Sequence, residues 1–180
     1  MATAAPTLLR RSVAALATYA ERDLSALWRE IDTPERARTA LMDTLPALVT
    51  TYSEAATMIA ADWYDDTREK AEARRRFTAT PVAVTDRGAQ ALAGWAVTTA
   101  VDVPSLQTLV SGGVQRRIAD HLRMTITENS IVDPSAQGWV RVGNGECDWC
   151  SQYLTGDVYH VEGYDFPAHD HCNCTAVPAF

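Results

Sequence analysis

Lysine occurs once in these 180 residues, at Lys70, and 23 acids outnumber the 16 bases to leave a net charge of −7. A chain of that sign does not grip nucleic acid with its whole surface, because non-specific binding draws on net positive charge. Any contact with DNA is therefore local. No run reaches the roughly 18 uncharged apolar residues of a membrane span. Met1 to Leu9 carries no basic stretch ahead of an apolar block, so secretion and membrane insertion are both disfavoured. G-x-S-x-G, H-E-x-x-H and a phosphate-cradling glycine loop are all missing, which removes the commonest sequence routes to a hydrolase, a zinc protease or an NTPase. Cysteine is absent from the first 132 residues, and histidine appears there only as His121.

What is present divides unevenly. All four cysteines, three of the four histidines and five of the nine glycines lie from Gly138 onward. From Asp133 to Phe180 seven acids face Arg141 alone, a charge of −6, which leaves only −1 for the first 132 residues. Two units with different sources of stability follow, a helical domain over 1–132 and a small Cys/His module over 133–180. The expected class is α+β: an N-terminal helical bundle or extended helical stack, then a cysteine-rich β module stapled by zinc. The 47% apolar content supplies one ordinary core or two small ones.

In the first unit Leu9, Val13, Leu16, Ala20, Leu24, Leu27 and Ile31 recur at spacings of three or four, one apolar stripe down a helix. Asp32 or Thr33 can cap a second helix, with Pro34 in its first turn. Beyond Pro46 a further stretch puts Tyr52, Ala55, Ala56, Ile59, Ala60 and Trp63 on one face, predicting that Tyr52, Ile59 and Trp63 are buried together. Asp65 to Phe77 continues as a charged segment. Ala89, Leu92, Trp95 and Ala96 mark the next helix. Leu106, Val110, Val114, Ile118 and Leu122 mark the last, with Gly112 and Gly113 expected to kink it and Asp133-Pro134-Ser135 to end it. Arg68, Lys70, Arg74, Arg75 and Arg76 offer a phosphate contact. They are interleaved with acids, however, and Asp66 with Lys70 and Glu72 with Arg76 fall at helical i,i+4 spacing, so a solvated, ion-paired helix face is favoured.

The second unit has two strand candidates, Trp139 to Val142 and Val158 to Val161, with turn chemistry at Thr155, Gly156 and Asp157. So few aliphatics cannot bury much, and small domains of this kind need a staple. Cys147 and Cys150 form C-x2-C, and eighteen residues separate Cys150 from His169-Asp170-His171-Cys172-Asn173-Cys174. Two close pairs across a short loop have zinc-site spacing: a tight knuckle brings two thiolates to one ion, which needs two further ligands. His169 and Cys172 are first choice; Cys174 and His171 are alternatives, and His160 a remote one. Two disulfides are the competing reading, disfavoured in a reducing compartment. Asp165, His169 and His171 could serve as acid and base, and Cys147 or Cys150 as nucleophile, but ligation uses up those groups, and a closed structural site excludes water.

Gly138-Trp139-Val140-Arg141-Val142, the C-x2-C, the turn through Gly156 to Val158-Tyr159, and His169-x2-Cys172-Asn173-Cys174 before Val177-Pro178 resemble the C-terminal module of Mu F-like minor head proteins of tailed phages. Tyr52, Ala60-Ala61-Asp62-Trp63-Tyr64-Asp65, Arg68, Gln115-Arg116, Arg123 and Thr125 are similar to the helical part of those proteins in phages of actinobacteria. The resemblance spans about Tyr52 to Phe180. It departs where the family has His-Pro and an arginine between the cysteines; here stand His169-Asp170 and Asn173. It implies a virion protein near the portal of the phage head, present in the host cytoplasm during assembly, structural rather than enzymatic. Its implied partners are the portal protein, the major capsid or scaffold protein, and packaged DNA as a local contact, with no membrane. A capsid maturation protease is the runner-up. A small zinc-dependent nuclease or DNA-binding module is disfavoured by the −6 charge of the cysteine unit.

Overall fold

The computed structural model describes residues 4–29, 31, 33–85, 87–143, 145, 147–160, 166–172 and 174–180. Helix α1 spans Ala4–Trp28, α2 Pro34–Lys70, α3 Arg87–Thr99 and α4 Val103–Val132; strand β1 spans Gly138–Val142, the one-turn helix α5 Asp148–Ser151, and strand β2 Thr175–Ala179. The chain is mostly helical with one two-stranded antiparallel sheet, in which Gly138 pairs with Ala179 and Val142 with Thr175. Helix α4 is the centre, touching α1, α2, α3 and both strands. One apolar cluster runs from Leu9 and Leu24 through Leu41, Leu45, Ile118 and Ile126 to Trp139 and Ala176. A smaller one gathers Cys150, Ala168, Cys172 and Cys174.

The local signals act where chemistry dictates. Thr33 caps α2 by accepting from the Arg36 amide, and Asp102 and Ser105 form a reciprocal capping box at α4. Asp32 and Val161 lie outside the described residues. Pro46 does not divide α2. Leu41, Leu45, Leu48 and Val49 are buried on both sides of it, and that continuous face outweighs the loss of about 3 kcal/mol that an internal proline brings.

Helix α2 is rotated from the sequence reading. Tyr52, Ile59 and Trp63 are only half-buried, and the fully enclosed residues are Ser53, Ala56, Ala60 and Tyr64. The core-facing stripe thus sits about one residue further along, with Tyr52, Ile59 and Trp63 packed at its edge and the Tyr52 hydroxyl hydrogen-bonded to Asp23 of α1. Tyr64 packs with ring centroids 6.0 Å from Phe77 and 5.9 Å from Phe180. Tyr64→Ala is expected to cost about 3–5 kcal/mol and Trp63→Ala clearly less, as urea denaturation would show. Trp95 likewise is 48% exposed, while Ala89, Leu92, Ala93 and Ala96 are buried.

The charged segment is not helical beyond Lys70. The Ala73 amide bonds the Arg68 carbonyl and the Glu72 amide the Glu69 carbonyl, with Glu72 at φ 53, a left-handed helix stop. Glu72 and Arg76 therefore share no helix face. Arg68 turns inward instead of lying on a solvated surface. The extended chain beyond it is held by side chains: the Ala79 amide donates to Asp65 Oδ1, the Thr80 amide to Asn129 Oδ1, and Asn129 Nδ2 back to the Thr80 carbonyl.

Gly112 and Gly113 do not kink α4, which is continuous through them. They are notches. A Cβ at Gly113 would lie 2.3 Å from Leu92 Cδ1, and one at Gly112 3.1 Å from Asp170 Cβ and from His171 Nε2, so α3 and the C-terminal loop approach α4 where side chains are missing.

Strand β1 forms as the alternation predicts; of the second strand candidate the described residues Val158–His160 show an isolated bridge between Tyr159 and Trp139, and β1 pairs with Thr175–Ala179. Gly138, at φ +128, permits that bridge, since a Cβ there would lie 2.2 Å from the Tyr159 carbonyl oxygen. Gly138→Ala is expected to destabilise by about 3 kcal/mol, the upper end for a strained backbone; a loss under about 1 kcal/mol in urea denaturation would show that this approach is not needed.

Candidate metal centre

The site begins with a cap. Cys147 is the N-cap of α5, and its sulfur accepts from the Cys150 amide at 3.4 Å. One turn of helix thereby places both sulfurs of the C-x2-C on the same side. From the opposite loop His169 brings Nε2 to 3.1 Å from Cys147 Sγ and 3.2 Å from Cys150 Sγ. Its Nδ1 sits 2.5 Å from the Asp170 carbonyl oxygen. A carbonyl only accepts, so Nδ1 carries a proton, and in the neutral imidazole Nε2 has a lone pair to present to the sulfurs.

Cys172 Sγ lies 3.5 Å from Cys150 Sγ. The donors form two triads that share Cys150: Cys147, Cys150 and His169, and Cys150, Cys172 and Cys174, with the donor atoms of each triad within 4.8 Å of one another. All four cysteines are free thiols. His171 is not in either group. It has φ 62, is exposed, and its Nδ1 is 2.5 Å from Gln115 Oε1 on α4. His160 is also remote, with Nδ1 2.9 Å from the Gln137 carbonyl. Asp165, the acid considered for catalysis, and Asn173 lie outside the described residues.

Three donor pairs have spacings near those around a tetrahedral ion, while the donors as a whole fall into two triads rather than one group within 4.8 Å. Zinc bonds of about 2.3 Å to sulfur and about 2.0 Å to nitrogen imply donor separations of about 3.5–3.8 Å. The observed 3.1–3.5 Å are within a few tenths of an ångström. The five residues Cys147, Cys150, His169, Cys172 and Cys174 lie close together in an arrangement compatible with a metal site. The thiols are not equivalent. A hydrogen bond from Cys174, aided by the Arg123 charge, holds Cys172 down to about 4, whereas the same bond together with burial pushes Cys174 up. The Cys150 amide lowers Cys147. Cys172 is accordingly the thiolate of its pair.

Two buried arginines that spacing did not single out as site residues hold the cluster. Arg123 on α4 is 2% exposed and donates Nη2 to the Cys172 carbonyl at 2.7 Å, Nε to the Cys174 carbonyl at 3.0 Å and Nη1 to Asp120 at 2.7 Å. Arg141 reaches the sulfurs themselves. The period of two along β1 was the available signal, since it places Arg141 on the same face as the buried Trp139.

Among the described residues no helix is long and apolar enough to cross a membrane. No curated protein matches the chain, and no solved structure does. The VG15 protein family matches residues 1–180, the full length of the sequence, and the chain therefore belongs to that family of phage-encoded proteins.

Proposed function

We propose that the protein is a portal-associated minor head protein of the virion, a non-enzymatic adaptor acting in head assembly and in DNA packaging or release. Its C-terminal loops are tied by a structural zinc ion. Cys147, Cys150, His169 and Cys172 would hold the metal, with Cys174 the alternative thiol. The ion supplies cross-linking energy to a segment too poor in aliphatics to fold on burial alone.

The observation that carries this reading is the placement of the donor cluster. It lies along the side of α4, with Asp170 and His171 against Gly112 and Gln115, and is fastened there through Arg123 and the β1–β2 pair. The thiols and His169, which could act as nucleophile and base, are the groups that would ligate, and His171 is turned away onto Gln115, which suits a staple rather than a reaction centre. Membership of a phage family and the C-terminal motif order support the head assignment. The portal protein is the principal partner, the major capsid or scaffold protein a further one, and packaged DNA a local contact.

Co-expression with the portal protein of the same phage tests it. A stable complex on size-exclusion chromatography is expected. Cleavage of the capsid or scaffold protein without portal binding would overturn the adaptor reading in favour of a maturation protease.

A further inference from the structure

Arg141 is 5% exposed, and a buried guanidinium needs a compensating charge. Among the described residues no carboxylate pairs with it. Its Nη1 donates to the Pro167 carbonyl at 2.6 Å, and its Nε has no hydrogen-bond partner. Its Nη2 points at two sulfurs, 3.7 Å from Cys150 Sγ and 3.8 Å from Cys172 Sγ. The rings of Phe166, 4.2 Å from the guanidinium carbon, and Tyr153, at 5.1 Å, fix the plane of the group.

We propose that Arg141 is the charge-compensating and positioning residue of the metal centre, with its guanidinium aimed at the sulfurs of Cys150 and Cys172. The inference rests on the metal reading given above. Three thiolates and a neutral imidazole around a divalent ion leave one net negative charge, and a fourth thiolate in place of the imidazole leaves two. Burying that charge is unfavourable unless a cation is buried with it. Arg141 supplies the cation, and through the Pro167 carbonyl it also sets the start of the loop that carries His169 and Cys172. Arg123 also bears on Cys172 through its charge, but Asp120 pairs with it at 2.7 Å and its nitrogens donate to backbone carbonyls rather than to a sulfur.

The test is competitive zinc titration of the full chain and of two variants, Arg141→Gln and Arg141→Lys. Both shorten the side chain, and only the second keeps the charge. The titration reads folding and binding together, so a variant unfolded without metal still returns an affinity. Arg141→Gln is expected to bind zinc about 10–100-fold more weakly than the unsubstituted chain. Arg141→Lys should recover about tenfold of that loss, though not all, since an ammonium lacks the fork geometry. Equal affinities for the two variants, whether weakened or not, would overturn charge compensation and leave Arg141 as packing between two rings. Titration of the unsubstituted chain with Co2+ separates this from the metal reading. Thiolate-to-cobalt absorption combined with equal variants overturns only the role of Arg141, whereas no such absorption overturns the metal centre and the inference with it.

Discussion

Cys147→Ser is expected to abolish stoichiometric zinc binding and to loosen the chain between β1 and β2 while the helical far-ultraviolet signal persists. Its sulfur is at once a donor to the cluster and the cap of α5, and serine replaces the second role but not the first. Cys150→Ser and Cys172→Ser should be equally severe, since Cys150 belongs to both triads and Cys172 Sγ lies 3.5 Å from its sulfur. Of His169 and Cys174, one should match them and the other be mild, which identifies the fourth ligand. The binding energy of such a site is largely folding energy, so chelator and acid should produce the same species. The sign of the pH effect follows from Cys172. Its thiolate is favoured in the fold, so its contribution is complete above the unfolded thiol value of about 8.5 and is lost as the pH falls toward about 4. Metal analysis after purification in reductant, with hydrogen exchange on the loops, checks the result; retained zinc in Cys147→Ser would refute the assignment.

Asp133→Ala is expected to destabilise the whole protein by about 3–5 kcal/mol, the range for stranding one partner of a buried ion pair. Arg68 Nε lies 2.6 Å from Asp133 Oδ2, and the two side chains are 10% and 0% exposed. Asp133 Oδ2 also accepts from the Tyr64 hydroxyl at 3.3 Å, and Oδ1 from the Ser135 amide at 2.8 Å. Arg68 further donates to Ser135 Oγ at 3.2 Å and to the Arg75 carbonyl. Removing the carboxylate leaves a guanidinium enclosed with neutral acceptors only. At roughly 2–4 °C per kcal/mol for a chain of this size, the midpoint should fall by about 10 °C. Arg68→Met together with Asp133→Ala should be less damaging than Asp133→Ala alone, because no uncompensated charge remains. A loss below about 1 kcal/mol for Asp133→Ala would show that water reaches the pair.

The order of elements was largely legible. Apolar spacing in α1 and α4, the Thr33 cap, the stop at Asp133 and the alternation of β1 are local signals, each fixed by groups within one or two turns of one another. The cysteine spacing announced which residues could share an ion for the same reason, since a C-x2-C is a local geometry. Local signals did not show which face of α2 meets the core, where a rotation of about one residue exchanges Trp63 for Tyr64. Nor did they show that Gly112 and Gly113 receive Asp170 and Leu92 rather than bend the helix.

The sequence by itself determined the helical character of the first unit, the donor inventory and the uneven placement of charge. Only the tertiary structure decided that Arg68, which read as a helix-surface charge, and Arg123 are buried, that Arg141 faces two sulfurs, and that β1 takes Thr175–Ala179 as its partner. Apart from the Arg141–Cys150 approach, 9 positions apart, those choices join residues between 31 and 65 positions apart. A buried charge is stable only where a partner of opposite sign or a set of carbonyls converges on it, and that convergence is a property of the packed chain with no periodicity to announce it.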